Sequence, residues 1–588
     1  MEDHSLAETG TEKMSGTTMN KQESSRLKGG LISMPFIIAN EAFEKVASFG
    51  LLNNMIIYLI TGYNMGYAKG ANVLFLWSAV SNFMPILGAF ISDSYLGRFL
   101  VITLGSVSSL AGMVLLWLTA MLPSAKPNPG EHPSHAQLCL LFGSFVLMSI
   151  GAGGIRPCSL AFGADQFNKE DNPNNTRVLQ SFFNWYYASV GVSIMIAVTL
   201  IVYIQDKFGW KVGFGVPAAL MLLSTFTFLL GFPLYVRVMT YQSLLTTCAQ
   251  VVVAASKNRG LKLPSKVGEG WFHQDKDSKI IVVPSEKLRF LNKACIIRNR
   301  DKELDSDGSA LDPWRLCTVT QVEDLKSVIR VLPIWSTGIM IAVTISQVAF
   351  PVLQAKTMNR HLTSKFQIPA GSFSVFGILT LTIWVAIYDR ILVPIIAKHT
   401  GRTRGLTNKQ RMGTGLVISC MALTASALVE NARRTRAIRE GLIDNPVAVV
   451  DMSAMWLIIQ HCLTGLAEAF NAIGQIEFYY SQLPKTMGSI AVALFTLGMA
   501  VGNLVGSLIV SVLDEVTKKG GRESWVTNNL NRGRYDNYYW VLAILCALNF
   551  VYFLGCCWLY GDEDDELLPV LTKAPNEGYE VEEKDLEK

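Results

Sequence analysis

The stretch LISMPFIIANEAFEKVASFGLLNNMIIYLI, residues 31–60, decides what kind of protein this chain is. As a helix with a rise of about 1.5 Å per residue, it is longer than the roughly 30 Å of hydrocarbon in a bilayer. Three charged residues, Glu41, Glu44 and Lys45, interrupt the apolar run. Because they are spaced by three and four residues, they share one face. The stretch predicts a membrane-crossing helix with one charged face.

That charged face needs a physical explanation. Each charge costs about 2.5–3.5 kcal/mol at the bilayer centre on insertion scales. Such residues persist where they meet a water-filled cavity or partner charges, which is typical of an ion or proton pathway. The alternative is a structural salt bridge between helices. An apolar replacement is often as stable as such a pair, which favours the functional interpretation.

The rest of the chain supports a multispanning membrane protein. Of its 588 residues, 50% are hydrophobic and only 16% are charged, whereas soluble proteins carry about a quarter charged residues. The alternating pattern of a membrane barrel is absent, so we expect an all-α protein. Twelve segments are long enough to cross a bilayer: near 31–60, 71–92, 99–121, 137–157, 179–204, 212–236, 327–348, 372–397, 412–429, 453–476, 490–513 and 537–560.

Composition argues against other classes. The net charge is +5, but the sequence has no basic stripe with interleaved aromatic residues. We therefore expect no nucleic-acid partner. The seven histidines show no spacing typical of a catalytic pair or a metal site, and the ten cysteines form no CxxC pair. We therefore predict no enzyme activity, no catalytic or metal-binding residues and no cofactor.

The segments group as six, a charged break, and six. We predict a disordered cytosolic tail over 1–27, a six-helix bundle over 28–237, a cytosolic linker over 238–325, a second six-helix bundle over 326–560 and a disordered acidic cytosolic tail over 561–588. Two such bundles around a central cavity are typical of carriers that work by alternating access.

The distribution of Lys and Arg between loops predicts the orientation. In the first half, basic residues concentrate on the side of the termini and the linker, so both termini are expected in the cytosol. The second half conflicts with this rule, because a second group of basic residues falls on the opposite side: Arg433, Arg434, Arg436, Arg439, Lys518, Lys519 and Arg522.

The junction between the second and third segments carries the sequence GAFISDSYLGR, residues 88–98. An acid at a helix end, a glycine that permits a tight turn and an arginine can lock neighbouring helices in one state. This stretch resembles the signature of the major facilitator superfamily, in the variant of its proton-coupled oligopeptide transporter branch.

Further motifs narrow the resemblance to the plant nitrate transporter 1/peptide transporter family, over roughly residues 28–560. They are NEAFEK (40–45), GAGGIRP (151–157), FGADQF (162–167), FNWYY (183–187), DPWRLCTV (312–319), LPIW (332–335), YDR (388–390) and GLT (405–407). The resemblance implies a proton-coupled symporter with the major facilitator fold, twelve transmembrane helices in two six-helix bundles.

The resemblance also implies residue roles. Glu41 and Glu44 would carry the proton and Lys45, which replaces an arginine of the family motif, would be their cationic partner. Arg156 stands where the family often has a lysine. Competition between the glutamates and the solute for Lys45 or Arg156 would link protonation to binding.

For the substrate, the resemblance points to Glu468, which matches a glutamate of the second half that faces the solute. Its alternative role is a hydrogen bond to a neighbouring helix. Ile345 stands where the family's dual-affinity nitrate transporter has a nitrate-binding histidine, and Val101 stands where a phosphorylatable threonine would lie. We expect Arg156, Trp185, Tyr186, Trp335, Ile345 and Glu468 to line the substrate cavity.

Two acid–arginine pairs are expected to act as gates. Asp93 with Arg98 in the first half, and Asp389 with Arg390 in the second, would stabilise the outward-open state from the cytosolic edge. The function predicted first is low-affinity nitrate uptake. The alternatives are a larger organic solute (a phytohormone such as gibberellin, a glucoside or other specialised metabolite, or a di- or tripeptide) and a nutrient receptor.

The expected partners are protons, the solute and the lipid bilayer. The expected location is the plasma membrane, as a multi-pass protein, with the vacuolar membrane as the alternative.

Overall fold

The computed structural model describes residues 29–167, 175–237, 244–261, 271–275, 281–400, 405–484, 487–560, 569–573 and 579–583. The expected N-terminal tail, residues 1–27, lies outside the described residues. The described chain is mainly helical, and each of the twelve predicted membrane segments coincides with helix.

Among the described residues, the first half contains six α-helices: α1 (Met34–Tyr63), α2 (Tyr67–Ile91), α3 (Arg98–Met121), α4 (His135–Asp165), α5 (Asn175–Ile196) and α6 (Val202–Leu230). A π-helical turn, Ala197–Ile201, continues α5 into α6, and the break between the fifth and sixth crossings comes at Gly209, where φ is 76°. A glycine there allows a left-handed backbone that other residues rarely adopt.

The linker and second half contain the remaining helices: α7 (Leu244–Lys257), α8 (Arg300–Glu303), α9 (Val319–Thr337), α10 (Ile339–Ile345), α11 (Ala349–Lys356), α12 (Ser374–Ile387), α13 (Val393–Thr400), α14 (Asn408–Arg439), α15 (Leu457–Gln482), α16 (Gly488–Lys518) and α17 (Tyr535–Tyr560). Capping boxes start three long helices: Ser134 with Gln137 for α4, Thr318 with Gln321 for α9, and Thr407 with Gln410 for α14.

Short strands connect some of these elements. Strand β2 (Met358–Asn359) pairs in parallel with β3 (Val450–Ser453). Strand β1 (Ile281–Val282) pairs with β4 (Pro569–Lys573), which in turn pairs with β5 (Tyr579–Glu583), all antiparallel. The last two strands lie in the acidic tail, where the sequence predicted disorder, and they join that tail to the linker.

Length and composition identify ten helical stretches that could cross a membrane among the described residues. One of them, Val178–Leu234, has 57 residues and contains the break at Gly209, so it accounts for two crossings. Helix α15 is outside this set although it has 26 residues. It carries polar residues along its length, Gln460, His461, Thr464, Glu468, Asn471 and Gln475, which lower its hydropathy.

The two halves share local geometry. In each half a π-helical turn, Ser92–Leu96 or Tyr388–Leu392, follows a membrane helix. A glycine with a φ of 74° stands in the junction that comes next, Gly97 in the first half and Gly405 in the second. This repetition fits two bundles built on one plan.

We name the two ends of the bundle by what they carry. The linker face holds the start of α1, the end of α4, the start of α9 and the end of α17. The loop face holds the loops after α1, α3, α11, α14 and α16. Hydrogen bonds tie each face together, as between Gly30 N and Gln166 O on the linker face and between Asn529 Nδ2 and Ile443 O on the loop face.

The linker contains a small folded module of its own. Val251 and Ala254 of α7 pack with Ala294 and Cys295 and with Val322 at the start of α9. Burial raises the pKa of the nearby Cys317 thiol to about 12, so this cysteine fills space and is not a nucleophile. The module therefore belongs structurally to the second half.

Four of the seven basic residues that conflicted with the loop-charge rule have structural partners on the loop face. Arg433 is fully buried and paired with Glu430, Arg436 is paired with Glu440 and Asp451, and Lys518 is paired with Asp514. Arg434 donates to the backbone carbonyl of Gly533. These cations hold the loop face together.

Candidate functional site

A cavity of about 550 Å³ lies between the two halves. Helices α1, α2, α4 and α5 line it from the first half, and α10, α11, α12, α14, α15 and α16 line it from the second. Its wall is largely apolar, with a few charged or strongly polar residues: Ser48, Asn53, Asn82, Arg156, Gln347, Gln460, His461, Glu468 and Asn503. This composition is typical of a binding site for a small molecule.

The charged cluster of α1 lies against this cavity. Lys45 Nζ is 3.1 Å from Glu41 Oε1 and 3.3 Å from Glu44 Oε2. Ser48 Oγ donates a hydrogen bond of 2.6 Å to Glu44 Oε1, and Arg156 Nε of α4 lies 3.9 Å from the same oxygen. Glu41 and Glu44 are both buried. The structure thus brings together the four residues assigned to proton coupling.

Only some members of the cluster reach the cavity wall. Arg156 and Ser48 line the cavity, whereas Glu41, Glu44 and Lys45 are not among its lining residues. The Lys45 pairs lie within one helix, whereas the Arg156–Glu44 contact joins α1 to α4. Arg156 therefore connects the cavity to the buried carboxylates.

The second half presents Glu468 to the same cavity. No hydrogen bond or ion pair joins Glu468 to another residue in the part of the chain that the structure describes. The alternative role, a hydrogen bond to a neighbouring helix, is not observed. Gln460, Thr464 and Glu468 are spaced by four residues and form one polar stripe of α15 along the wall.

The other residues expected at the substrate site divide into two groups. Ile345 lines the cavity, next to Thr344 and Ser346. The aromatic residues do not: Trp185 is 64% exposed, Tyr186 is buried next to Glu41, and Trp335 donates to the carbonyl of Leu494 within the second half. The prediction of a cavity lined by these three aromatic residues was wrong.

Two other aromatic residues, Phe49 and Trp77, line the cavity in their place. In a helix that is apolar all round, sequence periodicity does not show which face meets the cavity. Gln460 and His461 also belong to the wall, but α15 carries polar residues along its length, so residue type alone did not single them out.

The expected gate of the first half has a stronger member that the sequence did not single out. Arg98 Nη1 donates to both carboxylate oxygens of Asp165, at 2.8 and 2.7 Å, whereas Arg98 Nε is 3.6 Å from Asp93 Oδ1. The bidentate contact to Asp165 is the closer interaction. All three residues belong to the first half, so they join α3 to α4 and do not bridge the halves.

The expected gate of the second half is not formed as predicted. Asp389 and Arg390 are both exposed and make no ion pair with any residue that the structure describes. A different arginine, Arg411 of α14, pairs with Glu477 of α15 and lies over the ring of Tyr388. Since Asp389 and Arg390 are adjacent in a helical turn, their side chains diverge from one another.

The halves are joined by hydrogen bonds near the loop face. Tyr67 N donates to Asn528 Oδ1 at 2.9 Å. Asn72 Nδ2 donates to Ser511 Oγ at 2.9 Å, and Ser507 Oγ donates to Asn72 Oδ1 at 3.0 Å. The cavity is therefore closed on this side. The Asp93–Arg98 contact is present although the loop face is closed. This contact is therefore not restricted to a state that is open at the loop face.

The chain is similar in sequence to a known family of membrane transporters. The family described as PTR2, the POT family, matches residues 99–526. The chain belongs to the POT family. Among its relatives, Protein NRT1/PTR FAMILY 1.2 of Arabidopsis thaliana is 54% identical over 95% of this chain and 96% of the relative. Protein NRT1/PTR FAMILY 1.1 of the same plant is 55% identical over 92% and 93%.

Solved structures agree on the fold. The crystal structure of an auto-inhibited POT family peptide transporter superposes with a TM-score of 0.63 and 21% identity, covering 90% of this chain and 96% of that one. The structure of another POT family transporter, PepTSo, gives a TM-score of 0.63 and 20% identity, covering 90% and 99%. The predicted family and all-α transporter fold are confirmed, and the chain is a multi-pass membrane transporter and not an enzyme.

Proposed function

We propose that this POT-family chain is a proton-coupled symporter that carries an anionic solute on Arg156. The observation that supports the proposal is the contact between Arg156, at the cavity wall, and the buried Glu44, which also meets Lys45. A cation that faces a cavity and touches a buried carboxylate can be shared between that carboxylate and an incoming anion.

Charge balance explains how the anion and the proton would be coupled. Glu41, Glu44, Lys45 and Arg156 carry two negative and two positive charges, so the empty cluster is neutral. An anion bound to Arg156 adds one negative charge in a poorly solvated site, which is unfavourable. Protonation of Glu41 or Glu44 restores neutrality and frees Arg156 for the anion. One proton would thus accompany each monovalent anion.

Direction and location are also part of the proposal. We place the linker face in the cytosol, on the loop charges of the first half. The loop face is then extracellular and closed in this structure, with α2 joined to α16. In the plasma membrane such a carrier would import its solute, and in the vacuolar membrane, the alternative, it would release solute into the cytosol.

Two substrates are candidates. Nitrate, the substrate predicted first, would be held electrostatically by Arg156, since Ile345 stands where the resemblance implies a nitrate-binding histidine. An organic anion is favoured by the cavity volume of about 550 Å³, which greatly exceeds a four-atom ion. A nutrient receptor remains the alternative from another class, and it requires no net uptake.

Uptake in oocytes tests the proposal. Oocytes that express the chain should take up ¹⁵N-nitrate or a labelled organic anion several-fold faster at pH 5.5 than at pH 7.5, with an inward current. Arg156→Ala should reduce this uptake at least tenfold. Arg289→Ala is the matched control, because Arg289 is an exposed arginine of the linker.

Three results decide between the alternatives. Normal uptake by Arg156→Ala would show that Arg156 does not carry the solute. Uptake that does not depend on pH would contradict proton coupling. Binding without uptake, at normal levels of the protein in the membrane, would favour a receptor.

A further inference from the structure

A buried network on the loop face fixes the orientation of one amide in the cavity wall. Arg433 Nε and Nη2 donate to the two oxygens of Glu430, at 2.8 and 2.7 Å, and both side chains are fully buried. Because both oxygens accept from an arginine, Glu430 is a carboxylate and acts only as an acceptor.

The next two links follow from this carboxylate. Gln354 Nε2 donates to Glu430 Oε2 at 2.8 Å, so Gln354 must present its carbonyl Oε1 on the other side. That carbonyl accepts from Gln460 Nε2 at 3.3 Å and from Tyr539 OH at 3.4 Å. The NH2 group of Gln460 is therefore turned towards Gln354.

The carbonyl end of Gln460 is buried in the cavity wall. Gln460 is only 3% exposed and lines the cavity, and its Oε1 has no hydrogen-bond partner among the described residues. An amide that could rotate would exchange its ends to suit any ligand. Here rotation would place two carbonyls, of Gln354 and Gln460, against each other, so the acceptor is fixed.

A second amide of the cavity wall, that of Gln347, differs from Gln460 because both of its ends have partners in the protein. Gln347 also lines the wall, but its Nε2 donates to Val343 O at 3.1 Å and its Oε1 accepts from Tyr538 OH at 2.9 Å. Both ends of that amide are thus occupied within the protein. A buried acceptor without a partner is costly, and a ligand that supplies a donor removes this cost.

We propose that Gln460 Oε1 is a specificity-determining acceptor, and that the transported solute is an organic anion with a hydroxyl or N–H donor. The proposal rests on the proposed function, because Arg156 of the first half would hold the anionic group while Gln460 of the second half receives the donor. Nitrate has no hydrogen to donate and would leave this carbonyl to a water molecule. The inference therefore favours the organic solute over nitrate.

Matched pairs of carboxylates that differ by one hydroxyl group test the inference. We would use 4-hydroxyphenylacetate with phenylacetate, and the longer 3-(4-hydroxyphenyl)propanoate with 3-phenylpropanoate. Each is measured for proton-dependent uptake at pH 5.5 and 7.5 in oocytes that express the full chain, next to ¹⁵N-nitrate. In at least one pair, the hydroxylated acid should have a KM about tenfold lower, as expected for one hydrogen bond to an otherwise unpaired buried group.

The Gln460→Met variant should lose this preference, so that its KM values for the two acids of a pair agree within about twofold. Gln347→Met is the matched control and should keep the preference. Immunoblots of the oocyte membranes check that each variant is present. The wild-type comparison needs no variant, so a folding defect in Gln460→Met leaves the inference testable.

Proton-dependent uptake without a hydroxyl preference in either pair, or a preference that survives in Gln460→Met, would refute the role of Gln460 and leave the proposed function intact. Proton-dependent uptake of nitrate alone would refute it as well. The absence of any proton-dependent uptake would reject the proposed function itself, and this inference with it.

Discussion

At the scale of single residues, the cluster around Glu44 is the feature that the proposed function depends on most. Glu44 receives three contacts, from Lys45, Ser48 and Arg156, whereas Glu41 meets Lys45 and Tyr186 and does not contact the cation at the cavity wall. The two carboxylates are therefore not equivalent. Glu44 is the one whose protonation would release the cation at the cavity wall.

We expect Glu44→Gln to abolish the stimulation of uptake by low pH, because an amide side chain cannot take up a proton when the anionic solute binds. Glu41→Gln should have the same direction of effect but leave part of the stimulation, since Arg156 still meets Glu44. Uptake at pH 5.5 and 7.5 measures this, with Glu131→Gln as a control on the exposed loop after α3. An unchanged pH profile in both cluster variants would contradict the assignment.

The residues of the candidate site show how far the sequence could be followed. Glu41, Glu44 and Lys45 were found because charges in an apolar run are costly, and Glu468 was found for the same reason. The aromatic residues Trp185 and Trp335 could not be placed, since apolar side chains are tolerated on every face of a membrane helix. The role of Gln460 depends on partners 30 and 106 residues away in the sequence, Glu430 and Gln354, which no local pattern reveals.

At the scale of elements, the junction of α2, α3 and α4 has a different centre from the one predicted. Arg98 makes its bidentate contact with Asp165, at the end of α4, and a longer one with Asp93. Asp165 lies in the motif FGADQF, so it was within the resemblance but carried no distinguishing pattern. The contact ties α3 to α4 at the linker face.

We expect Asp165→Asn to slow turnover more than Asp93→Asn, because the bidentate ionic contact is worth about 1.5–3 kcal/mol and the longer one less. The maximal uptake rate should fall in Asp165→Asn while KM stays within about twofold, since neither residue lines the cavity. Kinetics of uptake at pH 5.5 measure both quantities. A larger loss of rate in Asp93→Asn would restore Asp93 as the main partner.

Two of the ion pairs of helix α14 differ in burial. Glu430 and Arg433 are 0% exposed, whereas the Arg436 side chain of the Arg436–Glu440 pair is 52% exposed. Removal of one partner from a buried pair costs about 3–5 kcal/mol, and an exposed pair contributes about 0–1 kcal/mol. The buried pair also holds Asn531 of the loop after α16, through Arg433 Nη1.

We therefore expect Arg433→Met to lower the melting temperature of the detergent-purified protein clearly, and Arg436→Met to change it little. The double variant Glu430→Gln/Arg433→Met should recover part of the loss, because it leaves no unpaired buried charge. Thermal unfolding followed by tryptophan fluorescence measures all three. Equal melting temperatures in Arg433→Met and Arg436→Met would contradict the stabilising role of the buried pair.

The sequence predicted the elements more reliably than their internal breaks. Twelve apolar segments were found by length, and all coincide with helix, including the polar α15. The π-helical turns were not predicted, because they depend on how helices pack and not on hydropathy. The break at Gly209 falls in the gap between the fifth and sixth predicted segments, 179–204 and 212–236. The strands of the acidic tail were missed because charge in a short segment favours disorder unless a partner strand is available.

At the scale of the whole molecule, the closure of the loop face separates the two states of the transport cycle. Helix α2 of the first half meets α16 of the second, and Asn72 bonds to both Ser507 and Ser511. A carrier that alternates access must break these contacts when it opens to the other side. Their strength therefore helps to set the ratio of the two states.

We expect Asn72→Ala to shift that ratio towards the state open at the loop face. It removes two hydrogen bonds, together about 1–3 kcal/mol, and 1 kcal/mol already changes a two-state ratio about fivefold. Ile345→Cys provides a reporter on the cavity wall. A membrane-impermeant maleimide, applied from outside to intact oocytes, should label Asn72→Ala/Ile345→Cys several-fold faster than Ile345→Cys alone, after subtraction of labelling in the chain without the reporter. Val512→Ala, an exposed position of α16, is the control and should leave the rate unchanged.

Equal labelling rates with and without Asn72→Ala would show that these bonds do not hold the loop face closed. Faster labelling only from the cytosolic side would reverse the assignment of the linker face to the cytosol.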